Sequence, residues 1–191
     1  HQATMLEPVG GMDRIPVALA GAVEAAAPGR LRLGREVQAV ETGERGATVR
    51  WRGKNGQSGT ETADFAVVTL PLPILARTPC NFSGAFRTAC ARTGYVRSVK
   101  IAWQSPRFWE GEGIYGGISH VSNDLNVVWY PSAEIGRKDG VLLTGYMFQD
   151  AADRIAAMAP EARYALARST VDRLHPGAGA RLAKPISVVW Q

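Results

Sequence analysis

Asn55-Gly56 is the strongest local constraint in this chain. The dipeptide supplies the left-handed backbone conformations of a tight hairpin turn. The alternating run before it, Thr48-Val49-Arg50-Trp51-Arg52, is therefore predicted to pair antiparallel with the segment after the turn. Glu44-Arg45-Gly46 reads as an earlier turn leading into that run from the short extended segment Glu36–Val40. Leu31-Arg32-Leu33 is a further extended piece, set off by Gly34.

Upstream, a helix is predicted. Asp13 serves as N-cap, Pro16 falls in the first turn, and Ile15, Leu19 and Val23 recur at helical spacing. Ala27-Pro28-Gly29 stops it. The helix does not explain Gly10-Gly11-Met12 directly before it, a costly arrangement that lets the backbone turn sharply or approach something closely.

Downstream, Asp64 to Pro71 is continuously apolar rather than alternating, which suits a strand covered on both faces in a parallel sheet. Pro71, Pro73 and Pro79 interrupt it and place a domain crossing near residues 71–80. Phe86 to Arg92 reads as a short helix, and Val96 to Trp103, Leu125 to Tyr130 and Val141 to Tyr146 as strands. Asp150 to Met158 and Glu161 to Leu174 read as consecutive helices joined at Pro160, the second ended by His175-Pro176-Gly177. Ile186 to Trp190 starts a last strand.

Composition narrows the function class. The net charge of +5 comes from arginines scattered singly, with no basic block or nucleic-acid motif, so a solvated surface is expected rather than a nucleic-acid footprint. No apolar run approaches the roughly 20 residues of a membrane span, and the chain is expected to be soluble, its compartment left open between cytoplasm and secretion. Cys80 and Cys90 are the only cysteines; they lack metal-site spacing and are expected as free thiols, with no metal bound. Asn81-Phe82-Ser83 matches the glycosylation acceptor pattern. A chain that starts at His1 and stops inside a strand reads as part of a longer polypeptide.

Several residues are candidates for chemistry. Gly111 to Gly116 matches GxGxxG, but it follows Phe108-Trp109-Glu110 and opens no helix, so it is expected to be a loop and not a dinucleotide site. His1, His120 and His175 share no metal spacing and are expected as exposed loop side chains; Ser119, His120 and Asp124 are too crowded for a catalytic triad. Lys100 stands out. It lies inside Val99-Lys100-Ile101-Ala102-Trp103, in a chain whose only other lysines are Lys54, Lys138 and Lys184. Alternation puts it on the face opposite Val99 and Ile101, where its ammonium either snorkels to water or points into a cavity. Tyr146 ends its strand, and Trp103, Phe108, Trp109, Trp129 and Tyr130 are candidates for the core or for a pocket wall.

In order, LEPVGGMDRIP, REVQAV, DFAVVTLPLPIL, RSVKIAWQSPRFWE, GIYGGIS and VVWYPS resemble the flavin-dependent amine oxidase family, most of all its L-amino-acid oxidase and bacterial flavin monoamine oxidase branch. The similarity runs from Leu6 to about Met147. It implies an α+β chain. Residues 1–76 would be a portion of an FAD-binding, Rossmann-like domain. Residues 77–191 would be a portion of a mixed-sheet substrate domain with flanking helices.

The resemblance also implies residue roles. The Val37 backbone would pair with the adenine of FAD, and Gly10, Gly11 and Met12 match the family's signature in the FAD domain. Lys100 matches the lysine that holds a water near the flavin, and Tyr146 the tyrosine that hydrogen-bonds the substrate carboxylate. The implied reaction oxidises an L-amino acid or amine to an imine, which hydrolyses to keto acid and ammonia, while dioxygen becomes hydrogen peroxide. The N-terminal dinucleotide fingerprint, the carboxylate-clamping arginine and the C-terminal flavin segment of the family are absent. FAD is therefore expected to depend on remaining segments of the same oxidase, which also leaves room for a homo-oligomer. A polyamine or monoamine oxidase and a non-catalytic basic binding module are the alternatives.

Overall fold

A computed structural model of this chain describes residues 8–190, and His1, Leu6 and Glu7 of the sequence reading lie outside the described residues. The chain divides into two compact units, 1–93 and 94–191.

In the first unit Gly10 and Gly11 hold φ of +93° and +104°, which favours glycine at both positions. This bend leads into α1 (Arg14–Ala26). Asp13 was expected to cap that helix, but it sits in a helical conformation and its side chain makes no cap bond. Its service is not needed, because Arg14, Ile15 and Val17 donate to the carbonyls of Gly11, Met12 and Asp13. Strands β1 (Arg35–Gly43), β2 (Gly46–Gly53) and β3 (Ser58–Ala63) form an antiparallel meander in that order. Its turns are the expected ones, with Gly46 at φ +115° and Gly56 at φ +81°.

The expected strand from Asp64 to Pro71 does not form: no ladder includes it, and Phe65 and Val67 are 89% and 92% exposed. A continuous apolar run signals that something covers it, not which backbone it adopts, and within this unit no strand runs alongside. Pro71 and Pro73 open the helix α2 (Leu72–Arg77) instead of interrupting a strand. Helix α3 (Gly84–Arg92) comes next, capped by Ser83, whose hydroxyl accepts from the Phe86 N–H.

The second unit is built on β4 (Ser98–Pro106), β5 (Gly117–His120), β6 (Val127–Tyr130), β7 (Asp139–Phe148) and β8 (Ala183–Trp190). Their order is β5-β6-β7-β4-β8. A mixed sheet was expected, but every pairing is antiparallel. Helices α4 (Phe108–Gly111), α5 (Gln149–Ala157) and α6 (Pro160–Leu174) complete the unit.

Alternation divides the sheet into two unlike faces. Val99, Ile101 and Trp103 of β4, with Leu142 and Met147 of β7, are buried with Ala152 and Ile155 of α5 and Ala167 and Val171 of α6. Burying each of the larger side chains contributes roughly 1.5–3 kcal/mol. The opposite face carries Lys100 and is open within the unit. No helix among the described residues is long and apolar enough to cross a membrane.

Candidate functional site

The open face is apolar, with one cation near its middle. Across it, β4 contributes Lys100 and Ala102, paired on one side with Tyr146 and Leu143 of β7 and on the other with Val188 and Ile186 of β8. Trp190 stands opposite Ser98 at one end. At the other end Trp129 of β6 lies opposite Leu143, and Ile118 of β5 opposite Trp129. Trp129, Trp190, Ile186 and Ile118 are all substantially exposed. Exposed apolar surface of this extent commonly marks a binding surface.

Lys100 extends over this floor. Its Nζ lies 4.4 Å from the Tyr146 ring centroid and 5.7 Å from that of Trp190, so two electron-rich rings flank the ammonium. Among the described residues no carboxylate comes within ion-pairing distance of it. An ammonium has three N–H donors, and aromatic faces satisfy none of them as a lone pair would. The cation is thus held in place yet left with donors to offer.

Tyr146 owes its position to an irregularity. Leu143 pairs with Ala102, Gly145 with Ile101 and Tyr146 with Lys100, so Thr144 is an extra residue on β7. The Tyr146 N–H is held by the Leu125 carbonyl at 3.1 Å. A Cβ on Gly145 would come within 2.9 Å of the Met147 methyl carbon and 3.2 Å of a Leu125 methyl, so this turn of the strand has no room for a side chain.

A second polar cluster lies behind the sheet. His175 was expected to be an exposed loop residue, but it is only 5% exposed. It sits just past α6, with Nε2 2.6 Å from the Tyr130 hydroxyl and Nδ1 2.7 Å from Glu112. The Tyr130 hydroxyl also meets Ser119 Oγ at 3.1 Å, and burial pushes the Tyr130 phenol above its ordinary value. Nothing in the spacing of Glu112, Ser119, Tyr130 and His175 signals this network, since each comes from a different element. It also settles the paper triad: Ser119 is engaged by Tyr130, Asp124 by Arg154 at 2.7 Å, and His120 stays exposed. The Gly111–Gly116 motif starts at the last residue of α4 and runs on as a loop, as expected, with φ of +78° at Gly113 and +135° at Gly116.

In the first unit, Val37 lies opposite Trp51 on β1, an edge strand. Farther along that edge the Val40 N–H donates to Pro79, and Thr42 exchanges bonds with the Asn81 side chain at 2.9 and 2.6 Å. Counting back from Val40, the bulge residue Gln38 shifts the alternation by one and turns the Val37 N–H and C=O to the same edge. No backbone bond to Val37 from outside the strand ladders occurs among the described residues. The Asn81 side chain is exposed and tied to Thr42. Gly10, Gly11 and Met12 stand exposed ahead of α1. Cys80 and Cys90 are free, and no group of three metal-ligating side chains occurs among the described residues.

Trp103, Phe108, Trp109 and Tyr130 are core, whereas Trp129 is 46% exposed on the open face. The sequence reading did not single out Trp190, Thr144 or Leu125. Strict alternation from Val188 would have put Trp190 on the Lys100 face, but a bulge such as that at Thr144 leaves no mark in the pattern.

Comparison with known proteins brings these features together. Residues 2–189 match the family model of the flavin containing amine oxidoreductases. The chain is 28% identical over 170 residues to the flavin-dependent L-tryptophan oxidase RebO of Lentzea aerocolonigenes, covering 87% of this chain and 35% of that protein. It is 26% identical over 151 residues to the L-amino-acid oxidase of Sistrurus catenatus edwardsii, covering 76% and 28% respectively. In fold it resembles the cyclohexylamine oxidase of Brevibacterium oxydans, with a TM-score of 0.78 at 18% identity, over 95% of this chain and 39% of that one. A putrescine oxidase variant gives 0.75 at 17% identity, over 94% and 38%. The chain thus spans about a third of the length of its relatives. A match running through both units, over an apolar sheet with a lysine at its middle, means that this chain belongs to the flavin containing amine oxidoreductase family.

Proposed function

We propose that the protein to which this chain contributes is an FAD-dependent oxidase of L-amino acids, releasing keto acid, ammonia and hydrogen peroxide. The observation that carries this reading is Lys100, directly opposite Tyr146 on an apolar open face and without an ion-pair partner among the described residues. The two relatives named as oxidases of amino acids support a carboxylate-bearing substrate.

The residues fit a flavin. A flat heterocycle suits an apolar floor edged by Tyr146 and Trp190, and an open strand edge at Val37 offers the donor and acceptor an adenine can pair with. A bound flavin would supply the two-electron acceptor for oxidising the substrate carbon–nitrogen bond. On this reading residues 1–76 belong to the FAD domain, where Gly10, Gly11 and Met12 shape the approach to the cofactor, and residues 77–191 to the substrate domain.

The chain's own residues do the rest. Lys100 holds a water through its free N–H donors, and that water is positioned to take part in proton transfer and imine hydrolysis. Its flanking rings keep the ammonium from wandering. The Tyr146 hydroxyl donates to a substrate carboxylate. Trp129, Leu143 and Ile118 accept the apolar side chain and exclude water from it.

Peroxide release by the full-length protein, measured against L-amino acids and their decarboxylated amines, tests the proposal. Turnover of the amino acids well above the amines is expected. Equal or faster turnover of the amines would make the protein a monoamine or polyamine oxidase, and no peroxide from either would refute the oxidase reading.

A further inference from the structure

Tyr146 reaches the Lys100 face only because β7 carries one residue too many. Pairing is regular from Asp139 opposite Pro106 to Leu143 opposite Ala102. Continued without interruption, it would set Thr144 opposite Ile101, Gly145 opposite Lys100 and Tyr146 opposite Val99. Val99 is 1% exposed and packs toward the helices, so in that register the tyrosine ring would point into the core. A slip of one residue exchanges the two faces of a strand. The observed extra residue reverses that exchange and returns Tyr146 to the open face, opposite Lys100.

The bulge is fastened from the buried side. Thr144 is 0% exposed, and its Oγ1 accepts the Trp103 indole N–H at 3.0 Å while lying 3.4 Å from the Ile101 carbonyl, to which it donates. Trp103 is itself fixed edge-to-face on Tyr164 of α6, with the Arg168 guanidinium 4.5 Å over its ring. One hydroxyl therefore joins the indole of one β4 residue to the carbonyl of another across the bulge. Valine has the same shape as threonine but can make neither bond, and an unmade bond at a buried site is costly.

We propose that Thr144, anchored by Trp103, is a positioning residue that sets the register of β7 so that the Tyr146 hydroxyl meets the substrate. Bulges next to active sites commonly re-aim a side chain in this way. The inference rests on the reading of Tyr146 as the carboxylate contact, and its consequence is selective. Losing the bulge should weaken recognition of the carboxylate, which an amino acid has and its decarboxylated amine lacks.

The experiment uses the full-length holoenzyme with Thr144→Val, Thr144→Ser, Trp103→Phe and Tyr146→Phe. Thr144→Val should raise KM for the amino acid about tenfold, the scale of one hydrogen bond to a charged group, and change KM for the amine far less. Thr144→Ser retains the hydroxyl and should restore KM to within about twofold of the parent. Trp103→Phe removes the donor without leaving one unpaired, and should shift KM in the same direction if Thr144→Val does not fold. If Tyr146→Phe raises KM for the amino acid while Thr144→Val and Trp103→Phe do not, the inference is overturned and the role of Tyr146 stands. If Tyr146→Phe has no effect, the carboxylate reading falls, and a crystal structure of Thr144→Val decides the remaining claim. Tyr146 still opposite Lys100 in that structure would overturn it; Tyr146 displaced from that register would support it.

Discussion

Lys100 and Tyr146 face each other directly across β4 and β7, with the ammonium nitrogen 4.4 Å from the centre of the tyrosine ring. The pair are cross-strand neighbours on one face, so neither can change register without separating from the other. In that arrangement the ring steadies the cation and the cation leaves the tyrosine hydroxyl free. On the proposed reading the two groups serve one ligand, the ammonium through water and the phenol through its O–H.

If Lys100 orders the reactive water, Lys100→Met in the full-length enzyme should slow substrate-dependent flavin reduction by at least about a hundredfold, the lower range for loss of a positioned proton-transfer group. Methionine keeps the length and apolar body of the side chain, so flavin content should stay near normal. Stopped-flow absorbance of the flavin checks both. Unchanged reduction kinetics would remove Lys100 from the chemistry.

Trp129 offers a separate handle on selectivity. It is half exposed on the Lys100 face, opposite Leu143 and beside Ile118, and on the proposed reading it covers the substrate side chain. Trp129→Ser should lower kcat/KM for L-phenylalanine about tenfold or more while changing that for L-alanine less than about threefold, since an apolar pocket discriminates by area. A parallel loss for both substrates would show that Trp129 serves the fold and not the pocket.

How much of this was legible beforehand differs from element to element. The hairpin at Asn55-Gly56, the turn at Gly46 and the helices α5 and α6 arise from local chemistry that each segment carries alone, and they fold as read. Lys100 was legible for the same reason: strict alternation in Val99–Trp103 separates the buried face from the open one. Asp64–Pro71 misled because its apolarity reports a cover from elsewhere rather than a ladder. The environment of His175 was invisible, since its partners Glu112 and Tyr130 are 63 and 45 residues away. Thr144 was hidden because a bulge costs one residue and leaves the apolar pattern on both sides looking regular. The family resemblance supplied the roles proposed for Lys100 and Tyr146, which spacing alone did not.

The Tyr130–His175 network should show itself at alkaline pH. Burial comes first among the causes that raise the Tyr130 phenol, and proximity to Glu112 adds to it, while the Ser119 hydroxyl acts the other way. A raised folded value means that the folded state keeps a proton the unfolded chain releases. The associated stability is therefore whole below pH 10.0, the ordinary phenol value, and is lost as pH rises from there through the higher folded value. Tyr130→Phe should flatten this alkaline limb in urea unfolding monitored from pH 7 to 11. At neutral pH the same change should cost roughly 1–3 kcal/mol, because it strands the His175 ring nitrogen and the Ser119 hydroxyl. An alkaline limb identical to that of the parent would show that another group governs it.

Gly46 provides a test of the first unit by itself. It begins β2 at φ +115°, and a Cβ there would run into the Ala63 carbonyl oxygen and lie 3.1 Å from the Asp64 Cα. Both neighbours are backbone at the end of β3, so neither can swing aside as a side chain would. Gly46→Ala therefore meets strain twice, in the turn and in the strand packed against it, and should destabilise the protein by roughly 1–3 kcal/mol. Gly56 turns the next hairpin at φ +81°, but a Cβ there meets nothing within 4 Å, so Gly56→Ala carries the backbone strain alone. Thermal unfolding of the two variants side by side separates the terms: Gly46→Ala should have the lower Tm. Equal Tm values would mean that the end of β3 gives way, and that the contact with Ala63 adds nothing to the turn.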